Sequence, residues 1–166
     1  MKQITTIFNT TKITINKYEK SDEAAILEPL WVWKVACILN EKNNTRRPPL
    51  PENFSEPMVS YVCDLYHKQG RGPDAFLLNK DNKITKSIEI KATITESGFQ
   101  EIKNAQYDEL YWFRFHAHEK LEYEIYKFSR DKIDQYLKGK NNRKINLIKL
   151  VGKDDKPITI GRIGII

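Results

Sequence analysis

The segment GRGPDAFLLNKDNKITKSIEIKA, residues 70–92, carries three ionisable residues, Asp74, Glu89 and Lys91, beside or within apolar runs. Asp74 follows a glycine–proline turn, and Glu89 and Lys91 lie two positions apart in a run of apolar residues. Because alternate side chains of a β-strand share a face, Glu89 and Lys91 would project on one side together with Ser87. The isoleucines between them would then point into the core. The sequence therefore predicts an acid and a lysine as neighbours on one polar strand face.

A β-hairpin would bring the other acid to the same place. The segments PDAFLL and KITKSIEIKATI are typical of strands, and the cluster NKDNK between them is typical of a turn. If the turn is centred between Asp81 and Asn82, Asp74 lies directly opposite Glu89. Two carboxylates whose Cβ atoms are roughly 5 Å apart repel each other unless a cation lies between them. We therefore expect a hard divalent ion such as Mg²⁺, which prefers oxygen ligands.

Such a site would be equipped to hydrolyse a phosphodiester. Lys91 beside the metal could hold or deprotonate a water, or stabilise the charge that develops on phosphorus, while the metal acts as a Lewis acid. The alternative is a surface ion pair between Glu89 and Lys91 on a non-enzymatic basic protein, with Asp74 only starting a strand. The Pro–Asp pair, the hairpin register and a further acid in the preceding helix, Glu56, favour the catalytic interpretation.

These residues resemble the motif of the PD-(D/E)XK nuclease superfamily. The matching positions are Pro73 and Asp74, then Glu89, Ile90 and Lys91, preceded by a helix that carries Glu56. The predicted order of helix, hairpin, strand, strand and helix over roughly residues 54–138 is also similar to the common core of that fold.

The resemblance implies a role for each matching residue. Asp74, Glu89 and the main-chain carbonyl of Ile90 would be metal ligands, with Mg²⁺ as the cofactor and Mn²⁺ as a substitute. Lys91 would be the catalytic lysine. Glu56 matches the helical acid that completes or tunes the metal site, and Glu52 is the alternative for that position.

Within this superfamily, a small basic chain without large accessory segments resembles a type II restriction endonuclease. More narrowly, it is similar to the small group that cuts the interrupted palindrome GCNGC. A homodimer would treat the two strands of double-stranded DNA alike. A cognate DNA methyltransferase would protect the cell's own DNA. A Holliday-junction resolvase or repair nuclease would share the metal site and stays an open alternative.

The charge of the chain favours a polyanionic partner, because 28 Lys and Arg residues against 22 Asp and Glu residues give a net charge of +6. Candidate DNA-contacting residues are Arg46, Arg47, Arg71, Lys86, Ser97, Gln100, Lys103, Asn104 and Gln106. Arg71 could hold a phosphate close to the metal, and the amide side chains after the catalytic strand could hydrogen-bond to bases. The histidines, His67, His116 and His118, are interpreted as structural or phosphate-contacting.

The length of 166 residues predicts a single nuclease domain, residues 1–166. We expect an α/β (α+β) fold with a mixed central β-sheet, flanking helices and a restriction-endonuclease-like core at about 54–138. A helical segment (1–50), which begins with the strand-like ITTIFNTTKITI, and a C-terminal β segment (144–166) would be additions to this core.

Two helices are predicted before the hairpin. The segment SDEAAILEPLWVWKVACILNEKN predicts a helix whose apolar face comprises Ala25, Leu27, Leu30, Trp31, Val35, Ile38 and Leu39. The helix that carries Glu56 should begin near Ser55. The sequence contains no signal-peptide pattern and no apolar run long enough to cross a bilayer, so we expect a cytoplasmic protein.

Overall fold

The computed structural model describes residues 1–94, 98–102, 106–116, 121–139 and 144–164 of the chain. The α-helices in these ranges are α1 (Glu23–Lys42), α2 (Glu52–Val62), α3 (Arg130–Leu137) and α4 (Leu147–Leu150). The β-strands in the same ranges are β1 (Lys2–Phe8), β2 (Thr11–Lys17), β3 (Tyr66–His67), β4 (Ala75–Leu78), β5 (Ile84–Thr93), β6 (Phe99–Glu101), β7 (Glu109–His116), β8 (Glu122–Ser129), β9 (Lys144–Asn146) and β10 (Thr159–Arg162). None of the described helices is long and apolar enough to cross a membrane.

Eight of the described strands form one mixed sheet in the order β1-β2-β3-β4-β5-β7-β8-β10. Strands β6 and β9 form a separate antiparallel pair. Within the large sheet β5 and β7 are parallel, and the other neighbours are antiparallel. Parallel neighbours require a crossover connection, and here the crossover contains β6. The predicted mixed sheet with flanking helices is confirmed.

Both faces of the sheet are covered by other elements. Helices α1 and α2 pack against a cluster that includes Ile88, Ile90 and Phe113. Helices α3 and α4 belong to a second cluster, built around Trp112 on the other face. Since alternate strand residues point to opposite faces, Glu89 points away from the face that Ile88 and Ile90 share. Strand β5 is a central strand of the sheet, and its residues Ser87, Glu89 and Thr93 are buried, whereas Thr85 and Lys86 are exposed.

The β4–β5 hairpin has the predicted register next to the three ionisable residues. Ala75 lies opposite Ile88, so the next pair outward is Asp74 and Glu89. The Asp74 amide continues the ladder by donating to the Ile88 carbonyl at 2.9 Å. A β-bulge after Leu77 shifts the pairing only towards the turn.

Helix α2 begins earlier than the sequence predicts. The expected start near Ser55 is wrong, because the helix begins at Glu52 with Pro51 as its N-cap. The Ser55 hydroxyl donates to the Pro51 carbonyl at 3.2 Å, one turn earlier, as serine side chains do inside helices. Glu56 therefore lies in the second turn of α2, and the acid of the first turn is Glu52.

The two terminal segments are only partly as predicted. In segment 1–50 the strand-like sequence ITTIFNTTKITI forms the β1–β2 hairpin, and α1 follows it. In segment 144–166 the predicted strand KINLIKLV is wrong after Asn146, because α4 begins there. The Asn146 side chain accepts from the Ile148 amide at 3.0 Å, which satisfies a main-chain group at the start of that helix. Strands β3 and β6 were not predicted, because two or three residues are too few to show periodicity.

The apolar face predicted for α1 is only partly buried. The buried residues of the helix are Ile26, Leu27, Leu30 and Trp33. Four of the residues predicted to face the core are exposed, namely Ala25, Val35, Ile38 and Leu39. The prediction fails for these residues because α1 is apolar on more than one side, and helical periodicity does not say which side meets the sheet.

Phe54 holds α2 against the sheet and gives a test of this packing. Its side chain is fully buried, and its ring lies 5.9 Å from the rings of both Phe113 and Phe115. We expect Phe54→Ala to lower the free energy of unfolding by roughly 3–5 kcal/mol, because it leaves a cavity at the α2–sheet interface. Denaturant titration measures this change. The exposed Ile160 is the control, and an equal loss in Ile160→Ala would contradict the assignment of the core.

Candidate active site

A cavity of about 900 Å³ opens where α2 approaches the start of β4 and the middle of β5. All the residues predicted as catalytic or metal-binding line this cavity, and so does the alternative acid Glu52. They are Glu56, Asp74, Glu89, Ile90 and Lys91. They come from one helix, one loop end and one strand. The fold therefore brings together residues that lie up to about 40 positions apart in the chain.

Asp74 is held at the junction of the two hairpin strands. Its carboxylate Oδ2 accepts from the Ile90 amide at 2.7 Å. Its main-chain carbonyl accepts from the Lys68 amide at 2.8 Å. The loop that leads to it passes through Gly70 and Gly72, whose φ angles of 90° and 102° are unfavourable for residues with a Cβ atom. Backbone geometry on both sides thus fixes the position of this acid.

Glu89 and Lys91 form an ion pair, with Lys91 Nζ 2.6 Å from Glu89 Oε1. Glu89 is only 6% exposed. The interpretation as a surface ion pair requires an exposed strand face. The burial of Glu89 does not fit that requirement. A pair desolvated to this degree interacts more strongly than an exposed one, and its geometry is fixed by the strand.

Glu56 approaches the same cavity from α2. Its Oε2 lies 3.4 Å from His67 Nε2, and the other ring nitrogen of His67 lies 2.9 Å from the Tyr18 hydroxyl. His67 is buried on β3 and is paired with Ala75, the residue after Asp74. The imidazole therefore orients Glu56 towards the hairpin. Nothing in the local sequence of His67 indicates this role, because its partners come from distant segments.

Crowding of negative charge changes the acidity of Asp74. The pKa of the Asp74 carboxyl is raised to about 7, chiefly by burial and also by the charges of Glu56 and Glu89. The hydrogen bond from Ile90 and the Lys91 ammonium oppose this pKa shift without cancelling it. Glu52 does not contribute to the shift, which makes Glu56 the helical acid that interacts with Asp74.

The donor set suits a cation that needs few protein ligands. Among the described residues, no three His, Cys, Asp or Glu side chains form a group that could hold a metal ion by themselves. The bonds to Ile90 and Lys91 occupy one oxygen each of Asp74 and Glu89, and leave the other oxygen of each carboxylate for a ligand. Mg²⁺ keeps several waters and is commonly held by one or two carboxylates together with substrate phosphates. Two carboxylates and a main-chain carbonyl at Ile90 therefore fit Mg²⁺ or Mn²⁺.

Some of the predicted DNA-contacting residues line the first cavity, and others lie away from it. Arg71, Gln100 and Gln106 line the cavity. Arg46, Arg47 and Lys86 do not line it, and Lys86 instead forms an ion pair with Glu109. Ser97, Lys103 and Asn104 lie outside the described residues, as does His118.

A second cavity of about 830 Å³ adjoins the first and shares Phe8 and Gln106 with it. Asn9, at the tip of the β1–β2 hairpin, donates to the Gln106 side chain at 2.7 Å. Nothing in the sequence indicates that this hairpin lies beside the site. The two cavities meet at Phe8 and Gln106.

The raised pKa of Asp74 predicts how the stability of the metal-free protein depends on pH. The carboxyl is more acidic in the unfolded chain, with a pKa of 3.8, than in the fold, where the pKa is about 7. The loss of stability caused by ionising Asp74 in the fold is therefore absent below about pH 4. It grows as the pH rises and is complete above about pH 7. We expect Asp74→Asn to raise the free energy of unfolding at pH 8 by about 1–3 kcal/mol and to have little effect at pH 4. Urea titrations in EDTA at both pH values measure this; equal effects of Asp74→Asn and the exposed Asp81→Asn at pH 8 would contradict it.

The family model described as Bsp6I restriction endonuclease matches residues 18–153, which is well over half of the chain and includes every residue of the candidate site. No curated protein and no solved structure matches the sequence. The chain therefore belongs to the Bsp6I restriction endonuclease family and is a DNA-hydrolysing nuclease of a restriction–modification system.

Proposed function

We propose that this protein is a type II restriction endonuclease with a PD-(D/E)XK active site, which uses Mg²⁺ to cut both strands of DNA at a short palindrome. The observation that carries the proposal is the convergence of Asp74, Glu89, Lys91 and Glu56 on one cavity. The family supports the class of enzyme, and the proposed recognition sequence is GCNGC.

The proposed roles are those that the resemblance implies, and the geometry of the site supports them. Asp74, Glu89 and the Ile90 carbonyl hold the metal, and Glu56 completes or tunes its surroundings. When bound, Mg²⁺ supplies Lewis-acid stabilisation of the scissile phosphate. The Lys91 ammonium, fixed by Glu89, holds the attacking water or stabilises the charge that develops on the phosphate. The hydrogen bond from the Ile90 amide keeps Asp74 in place before substrate arrives, so little reorganisation is needed.

The DNA would lie along the two adjoining cavities. We propose that Arg71, in the loop before Asp74, contacts a phosphate and that Gln100 and Gln106 approach bases. This is supported by the fact that all three line the first cavity. Gln100 is oriented by donating to the Ala92 carbonyl at 3.2 Å. We propose that the chain works as a single-domain subunit of a homodimer in the cytoplasm, and that a cognate methyltransferase protects the cell's own copies of the site.

Cleavage of unmethylated phage DNA tests the proposal. Purified protein should produce discrete bands with Mg²⁺ or Mn²⁺ and none in EDTA, and sequencing the ends gives the site and the stagger. Lys91→Ala should lower the cleavage rate by about 10²–10⁴-fold, because it removes the group that activates water or stabilises developing charge, while DNA binding is kept.

Lys83→Ala is the matched control, since Lys83 is an exposed lysine at the far end of the same hairpin. It should cleave at the wild-type rate. A metal-dependent smear in place of bands would indicate a nonspecific or structure-directed nuclease. Intact DNA with folded protein, or full activity of Lys91→Ala, would overturn the proposed active site.

Arg71→Ala tests the proposed phosphate contact. We expect it to weaken binding to specific and unrelated DNA by a similar factor, and to reduce the salt dependence of binding by about one phosphate contact. Fluorescence anisotropy at several salt concentrations in EDTA measures both quantities. Lys153→Ala removes an exposed lysine that does not line the cavity and should change neither. An unchanged salt dependence in Arg71→Ala would remove Arg71 from the DNA interface.

A further inference from the structure

The outer side of α1 carries an apolar stripe that its own chain leaves exposed. The exposed fractions are 67% for Val32, 57% for Val35, 51% for Ile38 and 52% for Leu39. Half of the large apolar residues exposed in the described chain therefore lie on this one helix. Single exposed apolar residues are ordinary, but a contiguous group of them marks an interaction surface.

The stripe has an internal symmetry. An α-helix has roughly 3.6 residues per turn, so residues seven positions apart lie almost on one line along its surface. Glu28, Val35 and Lys42 are spaced in this way, with Val35 at the centre. Val32 lies three residues before Val35 and Ile38 three residues after it, on either side of the line. Trp31 and Leu39, each four residues from Val35, complete the pattern.

This pattern is self-complementary in an antiparallel arrangement. If two copies of α1 pack antiparallel about a two-fold axis at Val35, Val32 of each copy lies beside Leu39 of the other. In the same arrangement Trp31 lies beside Ile38, so apolar side chains meet apolar side chains along the whole contact. A two-fold interface uses the same patch on both subunits and requires this kind of self-complementarity.

The charges at the ends of the stripe match in the same arrangement. Glu28 of one copy would lie beside Lys42 of the other, and the symmetry repeats this pair at the opposite end. Both residues are exposed, and neither has an ion-pair partner among the described residues. In a parallel arrangement the like charges would instead lie side by side. The charge distribution therefore selects the antiparallel pairing.

We propose that the outer face of α1, comprising Glu28, Trp31, Val32, Val35, Ile38, Leu39 and Lys42, is the homodimer interface, and that its occupant is α1 of a second copy of this chain. Apart from Trp31, which is half-buried and also packs against the core, the interface lies on the side of α1 away from the residues that pack on the sheet. The inner side of the same helix contributes Leu27 and Leu30 to the core next to α2. One helix would thus join the dimer contact to the layer that carries Glu56. The consequence for double-strand cleavage rests on the proposed function, whereas the surface argument does not.

Sedimentation velocity of the wild-type protein and five variants at micromolar concentrations tests the interface. The wild type should sediment as a dimer, and Val35→Glu should sediment as a monomer, because it places two carboxylates together on the axis. Glu28→Lys and Lys42→Glu should each weaken dimerisation by about tenfold or more, since each replaces two attractive pairs by two repulsive ones. The double variant Glu28→Lys/Lys42→Glu should restore the wild-type constant. Ile160→Glu, at an exposed apolar residue on another element, should leave the dimer intact.

A monomeric wild type, or a dimer that survives Val35→Glu, would overturn the interface. Failure of the double charge variant to recover would overturn the antiparallel pairing. Plasmid cleavage separates this inference from the proposed function. A protein that dimerises through α1 but does not cut DNA refutes only the nuclease mechanism, and one that cuts as a monomer refutes only the interface. If both hold, Val35→Glu should accumulate nicked circles where the wild type produces linear DNA.

Discussion

The hydrogen bond from the Ile90 amide to the Asp74 carboxylate, 2.7 Å long, determines the geometry of the whole site. It uses a main-chain group of a central strand, so its position is as rigid as the sheet. It directs Asp74 towards Glu89 and leaves one oxygen of the acid for a ligand. Removing the ladder between β4 and β5 would remove this bond, and the carboxylates would then separate to reduce their repulsion. The backbone thus enforces a contact that the side chains would not make by themselves.

Holding the carboxylates close together lowers the stability of the fold, and this loss arises at Asp74. A carboxyl whose pKa is raised to about 7 in the fold is poorly solvated and faces the charges of Glu56 and Glu89. A cation would relieve this repulsion, and the extensive aromatic packing of Phe54, Phe113 and Phe115 on the adjacent face can sustain it in the absence of one. Proteins commonly break local rules of stability at functional sites and compensate in the core. In this protein the destabilising charges lie at the site, and the compensating aromatic packing lies on the adjacent face.

Helix α1 shows a second division of labour, between its two sides. The side with Leu27, Leu30 and Trp33 belongs to the core, and the Trp33 indole is fixed by the Pro48 carbonyl at 3.1 Å. The other side is apolar without being covered by the described chain. A helix that is apolar on two sides can belong to a core and to an interface at once, which accounts for the failure of the predicted single face. The same feature that misled the sequence prediction supports the dimer contact.

Structural features whose sequence pattern is local can be derived from the sequence alone. The alternation around Glu89 and Lys91, the turn between β4 and β5 and hence the pairing of Asp74 with Glu89 all follow from side-chain period and turn chemistry. Three features depend on long-range packing and follow only from the fold: the burial of Glu89 inside the sheet, the contacts of His67 with Glu56 and with Tyr18, and the position of the β1–β2 hairpin beside Gln106. Local spacing specifies which residues share a face, but the surroundings of that face come from segments far away in the chain. The packing of the whole core brings these distant segments together, and no short stretch of sequence encodes that packing.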